Sequence, residues 1–243
     1  MSIPALIARP LGVVASPFPY GVVARHDAQA ISGPADGDAY DTWTDLSGRG
    51  AHLGKAGTTS ALYRNGTAGE NINGHACIRI VVDTTCYFTY ATDILSAAAA
   101  GEVFVVAKND YDPPGSTGRA GYWSFTSSDF SVHHPYTDGK IYEAWGRATR
   151  IDCGEPVDSL TAMDIYNVIS SASEWTVRLN TTQLYTTATN TPSFLSTGIR
   201  VGRSAASPYN WPGLFGELVI FNRALSSSER TDTYNYLAAR WAV

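Results

Sequence analysis

Turn residues break this chain about every 8–15 residues, and most of what lies between them reads as strand. From Gly21 onward, short runs rich in Val, Ile, Tyr, Phe, Trp and Thr alternate with clusters of Gly, Asn, Asp, Ser and Pro. Such runs cover 21–27, 75–82, 86–91, 102–109, 121–127, 140–146, 165–171, 174–180, 182–188, 198–204 and 213–222. EVFVVAKN at 102–109 is almost continuously β-branched or aromatic, the pattern of a strand buried on both faces. The segments 174–180 and 182–188 predict a hairpin. The spacing predicts an all-β sandwich. A chain of 243 residues fits one such domain, and 21–243 shows neither a fixed repeat nor an internal linker.

Two segments break the strand pattern. DILSAAAAG at 93–101 predicts a short helical turn stopped by Gly101. Ser226 and Glu229 form an S-x-x-E capping box. The following residues, about 227–241, place Tyr234, Leu237, Ala238 and Trp241 on one helical face. A C-terminal helix packed on the sandwich is expected. Residues 1–20 predict an extended arm, because Pro4, Pro10, Pro17 and Pro19 remove backbone donors and favour extended geometry. Its apolar residues Ile3, Leu6, Ile7, Val13, Val14 and Phe18 need cover. Either the protein's own sheet or a neighbouring subunit supplies it.

Charged residues are only 16% and aromatic residues 12%, against about 25% charged in an ordinary soluble domain. Polar loops of Ser, Thr, Asn and Gly must then solvate the outside. The net charge is −5, so a phosphate-tracking nucleic-acid surface is not expected. No apolar run reaches the roughly 18 residues of a membrane span. Cys77, Cys86 and Cys153 are an odd set and read as buried thiols, with a Cys77–Cys86 bond across a hairpin as the alternative. Arg9 and Pro10 split the only apolar stretch near the N-terminus, so general secretory export is not expected. The sequons at Asn65 and Asn180 are then chance matches.

Two segments, 25–53 and 213–243, resemble the laminin-G-like, concanavalin A-like jelly-roll domains of bacteriophage tail proteins and bacterial surface proteins. In the first, the shared pattern is Asp27-Ala28, a turn with Trp43, Asp45, Ser47, Gly48 and Gly50, and then His52-Leu53. In the second it is Gly213, Gly216 and Glu217, then Phe221-Asn222-Arg223-Ala224-Leu225, then a helix to Trp241. His75 stands where the family has an apolar residue, and Asn180 is followed by Thr181 rather than Gly. The resemblance implies a jelly-roll β-sandwich over 21–243 with a short C-terminal helix, and a place on a virion. In physical terms, Asp45 and Ser47 should bond turn amides, and Gly48 and Gly50 should take positive φ. Trp43 should plug the sandwich. Glu217 should pair with an arginine such as Arg223 or accept from backbone N–H groups.

Catalysis is not expected. Glycosidases need paired carboxylates, about 5 Å apart for retention and wider for inversion. Glu143, Glu174 and Glu217 have no carboxylate two residues away on their strands. No serine-hydrolase elbow, zinc-protease helix or P-loop occurs, and His133-His134 reads as a loop feature. No cofactor is required. Calcium, which laminin-G-like domains often bind, would use Asp110 and Asp112, although solvated turn acids are the favoured reading. A glycan would need aromatic platforms with amide and hydroxyl donors. The candidates are Tyr209, Asn210, Trp211, Tyr136, His134 and Trp145. Their alternative role is packing over the sandwich edge.

The sequence therefore predicts a non-enzymatic, homo-oligomeric virion protein assembled in the host cytoplasm. It would be a minor tail or other surface protein, held to other virion proteins by its arm and binding host-surface glycans. A capsid decoration protein without sugar binding and a glycan hydrolase or depolymerase are the alternatives.

Overall fold

The computed structural model describes residues 16–67, 69–83, 85–95, 97–112, 121–125, 132–195, 198–204 and 210–243. Of the expected arm contacts, Ile3, Leu6, Ile7, Val13 and Val14 lie outside these residues, as does Tyr209. In chain order the strands are β1 (Val22–Asp27), β2 (Ala39–Tyr40), β3 (Thr42–Trp43), β4 (Leu53–Lys55), β5 (Ala61–Arg64), β6 (Cys77–Ile80), β7 (Phe88–Tyr90) and β8 (Gly101–Asn109). Then come β9 (Trp123–Ser124), β10 (Tyr142–Glu143), β11 (Ile151–Asp152), β12 (Met163–Ser171), β13 (Glu174–Leu179), β14 (Thr182–Thr187), β15 (Arg200–Val201) and β16 (Gly213–Phe221). One helix, α1 (Ser227–Trp241), follows.

The strands form the expected two-sheet sandwich. The large sheet has nine strands in the order β14-β13-β12-β8-β16-β6-β5-β2, with β1 also on β16. The smaller sheet runs β3-β4-β7-β15-β9, and β10-β11 is a separate hairpin. β8 and β16 sit in the middle, and their sequences show it. All of β16 is buried, as is β8 apart from half-buried Lys108. The second sheet covers one face, and α1 covers the other.

β16 carries a bulge at its centre. One edge pairs with β8 throughout, while the other pairs with β6 up to Phe215 and with β1 from Glu217 onward. The register shifts between Phe215 and Glu217. A bulge re-aims side chains. Phe215 accordingly points inward at Trp43 and Trp211, whereas Glu217 points outward at Trp241. Gly216 is required here, because a Cβ would lie 2.8 Å from the Trp241 ring.

The motif turns behave as their residue types dictate. Asp45 accepts from the backbone N–H groups of Arg25, Ser47 and Ala51 and from the Ser47 hydroxyl. Gly48 and Gly50 take φ of 81° and 71°. Trp43 is 1% exposed and lies against Phe88 and Phe215. The capping box of α1 is complete, and Thr233, Leu237 and Trp241 are buried. All three cysteines are free and buried.

Three expectations need correction. The described part of 93–101 is not helical: Ala98 N–H closes one turn on the Leu95 carbonyl, and Gly101 opens β8. So short a segment cannot offset the cost of helix nucleation, and Leu95 is drawn into the core instead. Phe18 is not a free assembly contact. It is 6% exposed, seated edge-on against Tyr236 and Phe221 of its own chain. Glu217 does pair with an arginine, but with Arg25 rather than Arg223, which binds Glu229.

Candidate functional site

Most of the predicted glycan platform lies inside the sandwich. Trp145, Trp211, His134 and Asn210 are buried, and Tyr136 is half-buried. Three of them meet in one polar knot around Glu143. Glu143 Oε1 accepts from the Trp123 indole (3.2 Å) and from the backbone N–H groups of Ala144 and Trp145 (both 2.8 Å). Oε2 accepts from the Tyr166 hydroxyl (3.1 Å) and lies 3.2 Å from His134 Nε2. Burial depresses the His134 pKa, against the opposing pull of Glu143. A carboxylate oxygen only accepts, so His134 donates to it from Nε2. Trp211 donates to Asn109 Oδ1 (2.6 Å), and Asn109 Nδ2 donates to the His134 carbonyl (2.8 Å). These rings cannot offer a face to a sugar. Each indole N–H or amide needed a buried acceptor and found one across the core, except the Trp145 indole N–H, which has none.

Two more acids are held beneath α1. Glu217 receives Arg25 Nε and the Trp241 indole, both at 3.0 Å, with Arg240 Nε at 3.5 Å. Its register partner Asp27 binds Arg25 and Arg240. Burial and the Asp27 charge raise the Glu217 pKa, against Arg25 and the indole. Glu102 receives Arg230 Nε (2.7 Å), Leu225 N–H (2.8 Å) and Asn167 Nδ2 (3.1 Å). Both clusters clip the helix to the sheet.

The calcium expectation also changes. Both oxygens of Asp110 are taken by the Arg79 guanidinium, at 2.5 and 2.6 Å, so it is no longer a spare ligand. Asp112 is exposed. Among the described residues no three metal-binding side chains converge. A different acid stands out. Asp164 is 2% exposed, takes Asn180 Nδ2 on Oδ1 and has no partner on Oδ2. Burial pushes its pKa up to about 7, with Asp158 and Asp112 adding to the rise.

The outer surface offers a better recognition site. A groove of about 280 Å³ runs between α1 and the outer face of β12 and β13. Phe104 and Tyr234 give it an apolar floor and wall, and Asn167, Arg178, Asn180 and Asn235 add polar groups. Strand alternation aims Asn167 and Arg178 outward. Arg178 donates to Asn167 Oδ1 and pairs with Glu174 at 3.5 Å. Its pKa is nevertheless lowered, by burial and by the neighbouring Arg230 charge. An incoming oxygen acceptor would relieve it. Two other hollows, of about 300 and 390 Å³, share Asp93, Ile94 and Asn222 at one end of the sandwich. Neither has an aromatic wall. Sequence reasoning missed the groove, because its two sides lie far apart in the chain.

No family model and no curated protein matches this sequence. Solved structures do. A Trypanosoma rangeli sialidase in complex with 2,3-difluoro-KDN superposes with a TM-score of 0.61 at 12% identity, over 98% of this chain and 36% of the sialidase. An arabinofuranosidase complexed with arabinofuranosyl-alpha-1,2-xylobiose gives 0.58 at 14% identity, over 90% of this chain and 62% of that one. A GH54 α-L-arabinofuranosidase variant soaked with 4-nitrophenyl α-L-arabinofuranoside gives 0.57 at 13% identity, over 83% and 51%. The chain spans about a third of the sialidase's length. At such identities the likeness concerns the fold alone: this chain is an all-β, two-sheet sandwich with a C-terminal helix.

Proposed function

We propose that this protein is a non-catalytic surface component of a bacteriophage particle, a minor tail or other exposed protein, whose lectin-like sandwich takes a host-surface glycan in the groove beneath α1. The observation that carries the recognition part is the groove itself. It sets the aromatic ring of Tyr234 beside three amides and the guanidinium of Arg178. Sugars present apolar faces and hydroxyl edges, and this lining answers both. A non-catalytic role is supported by how the three buried glutamates are used. Glu143, Glu217 and Glu102 each accept from several internal donors and serve as fasteners. The phage setting is supported by the motif resemblance of segments 25–53 and 213–243.

A glycan array probed with the full chain tests recognition, with Tyr234→Ala and Arg178→Ala as variants. Binding that falls at least about tenfold in both supports the reading. An array that stays blank favours the decoration-protein alternative. Release of reducing ends from host cell-wall polysaccharide by the wild-type protein overturns the non-catalytic assignment. Imaging of labelled chain in purified particles tests the location, and absence from the particle removes the virion role.

A further inference from the structure

The outer face of the five-stranded sheet holds a second polar site, independent of the groove. Arg200 and Arg203 lie over the same ring: their guanidinium carbons are 5.7 and 4.8 Å from the centre of Tyr87. The register explains the arrangement. Val201 pairs with Phe88 and Arg200 with Thr89, so Tyr87 falls beside the Arg200–Arg203 segment. On the other side of β15, Ser124 of β9 is the register partner of Arg200.

Two like charges gathered on one aromatic ring are unusual in a protein of net charge −5. Elsewhere on this surface, arginines such as Arg64, Arg79 and Arg223 meet carboxylates. Arg203 has no carboxylate partner among the described residues, and its buried Nε has no acceptor. Ser124 and Ser204 are each 1% exposed, and the hydroxyl of each is also unpartnered. The Ser204 carbonyl lies 3.5 Å from Arg200 Nη1, which keeps this serine next to the arginine pair. Three buried donors on or next to β15 and β9 thus lack an acceptor: Arg203 Nε and the hydroxyls of Ser124 and Ser204. Buried polar groups normally find partners, and each that does not needs a reason. An oxyanion supplies several lone pairs at once and suits the planar fork of arginine.

We propose that Arg203, with Arg200, Tyr87, Ser124 and Ser204, forms an oxyanion site for a carboxylate, sulfate or phosphate group of a bound ligand. Tyr87 holds the guanidinium plane, Arg203 grips the anion, and the serine hydroxyls add donors.

Thermal unfolding of the full chain tests this, in chloride and with sodium sulfate, phosphate or acetate at matched ionic strength. At least one anion should give a saturable rise in Tm. Sulfate or phosphate acting alone would mark a tetrahedral ester ligand, and acetate a carboxylate. Arg203→Gln should weaken the apparent affinity about tenfold or more, whereas Arg49→Gln, an equal charge loss elsewhere, should not. The Arg203 Nε–H resonance of the wild-type protein should move during the same titration, a readout that needs no variant. No saturable effect from any anion, unchanged affinity in Arg203→Gln, or a static Nε–H resonance would each overturn the site.

Discussion

Glu143 and Glu217 are both fully buried acids, yet the protein neutralises them in opposite ways. Glu217 sits under α1 among guanidinium groups whose side chains keep 16% and 30% exposure. Glu143 lies deep between the sheets and is held by an indole, a phenol, an imidazole and two amides. The difference follows from depth. An arginine can reach Glu217 and still touch water. None could reach Glu143 without being stranded, so neutral dipoles take over. The first arrangement joins a helix to a sheet. The second ties loops into the interior.

Glu143→Ala should be the most damaging change. It strands the donors of Trp123, Tyr166 and His134, each at about 1–3 kcal/mol. Urea unfolding should show a loss of roughly 4 kcal/mol or more, and a loss below about 1 kcal/mol would break the dipole account. Glu217→Ala should cost about 3–5 kcal/mol by leaving Arg25 and Arg240 underpaired. Its signature is local: amide exchange should rise first in α1, whereas Glu143→Ala should loosen 132–145 first. The same exchange pattern in both variants would erase the distinction.

Asp164 extends the comparison to an acid with neither kind of support at Oδ2. Its carboxyl is raised from 3.8 to about 7. Between those values the native state keeps a proton that the unfolded chain has lost. Stability therefore falls as pH rises through that window, on the order of a few kcal/mol. His26 works in the other direction, because burial lowers it from 6.5 to about 4. There the unfolded chain takes the proton first, so stability falls as pH drops from 6.5 toward 4. Asp164→Asn should be more stable than wild type above pH 7, with the gap closing by about pH 4. A constant gap across that range would show that the carboxyl does not titrate there. The smallest effect is expected at the exposed cap. Ser226→Ala should cost about 1 kcal/mol, read as a small fall in the unfolding midpoint.

Local features were the legible ones. Ser226, Glu229 and the apolar spacing to Trp241 define α1 within its own segment, and the density of β-branched residues marks β8. The Asp45 turn is similar, since its partners Ser47 and Ala51 are close by. The glycan platform was misread because exposure is not a local property. Trp211 looks displayed in a Trp-Pro loop, yet its indole bonds to Asn109 on another strand. The groove was hidden for the same reason. Tyr234 and Arg178 become neighbours only after α1 folds back over β13. Short strands such as β2 and β3 escaped because two residues carry no periodicity.

The shared edge of β16 has a consequence for how the chain reaches its native state. This strand is flanked by β8, β6 and β1, all of which precede it by more than a hundred residues. Until Gly213–Phe221 arrives, the nine-stranded sheet is two unjoined halves with open edges, and β1 has no partner strand. Such long-range closure predicts slow folding. The halves must wait together without pairing to a neighbour, so assembly is safest where a chaperone or rapid completion shields those edges.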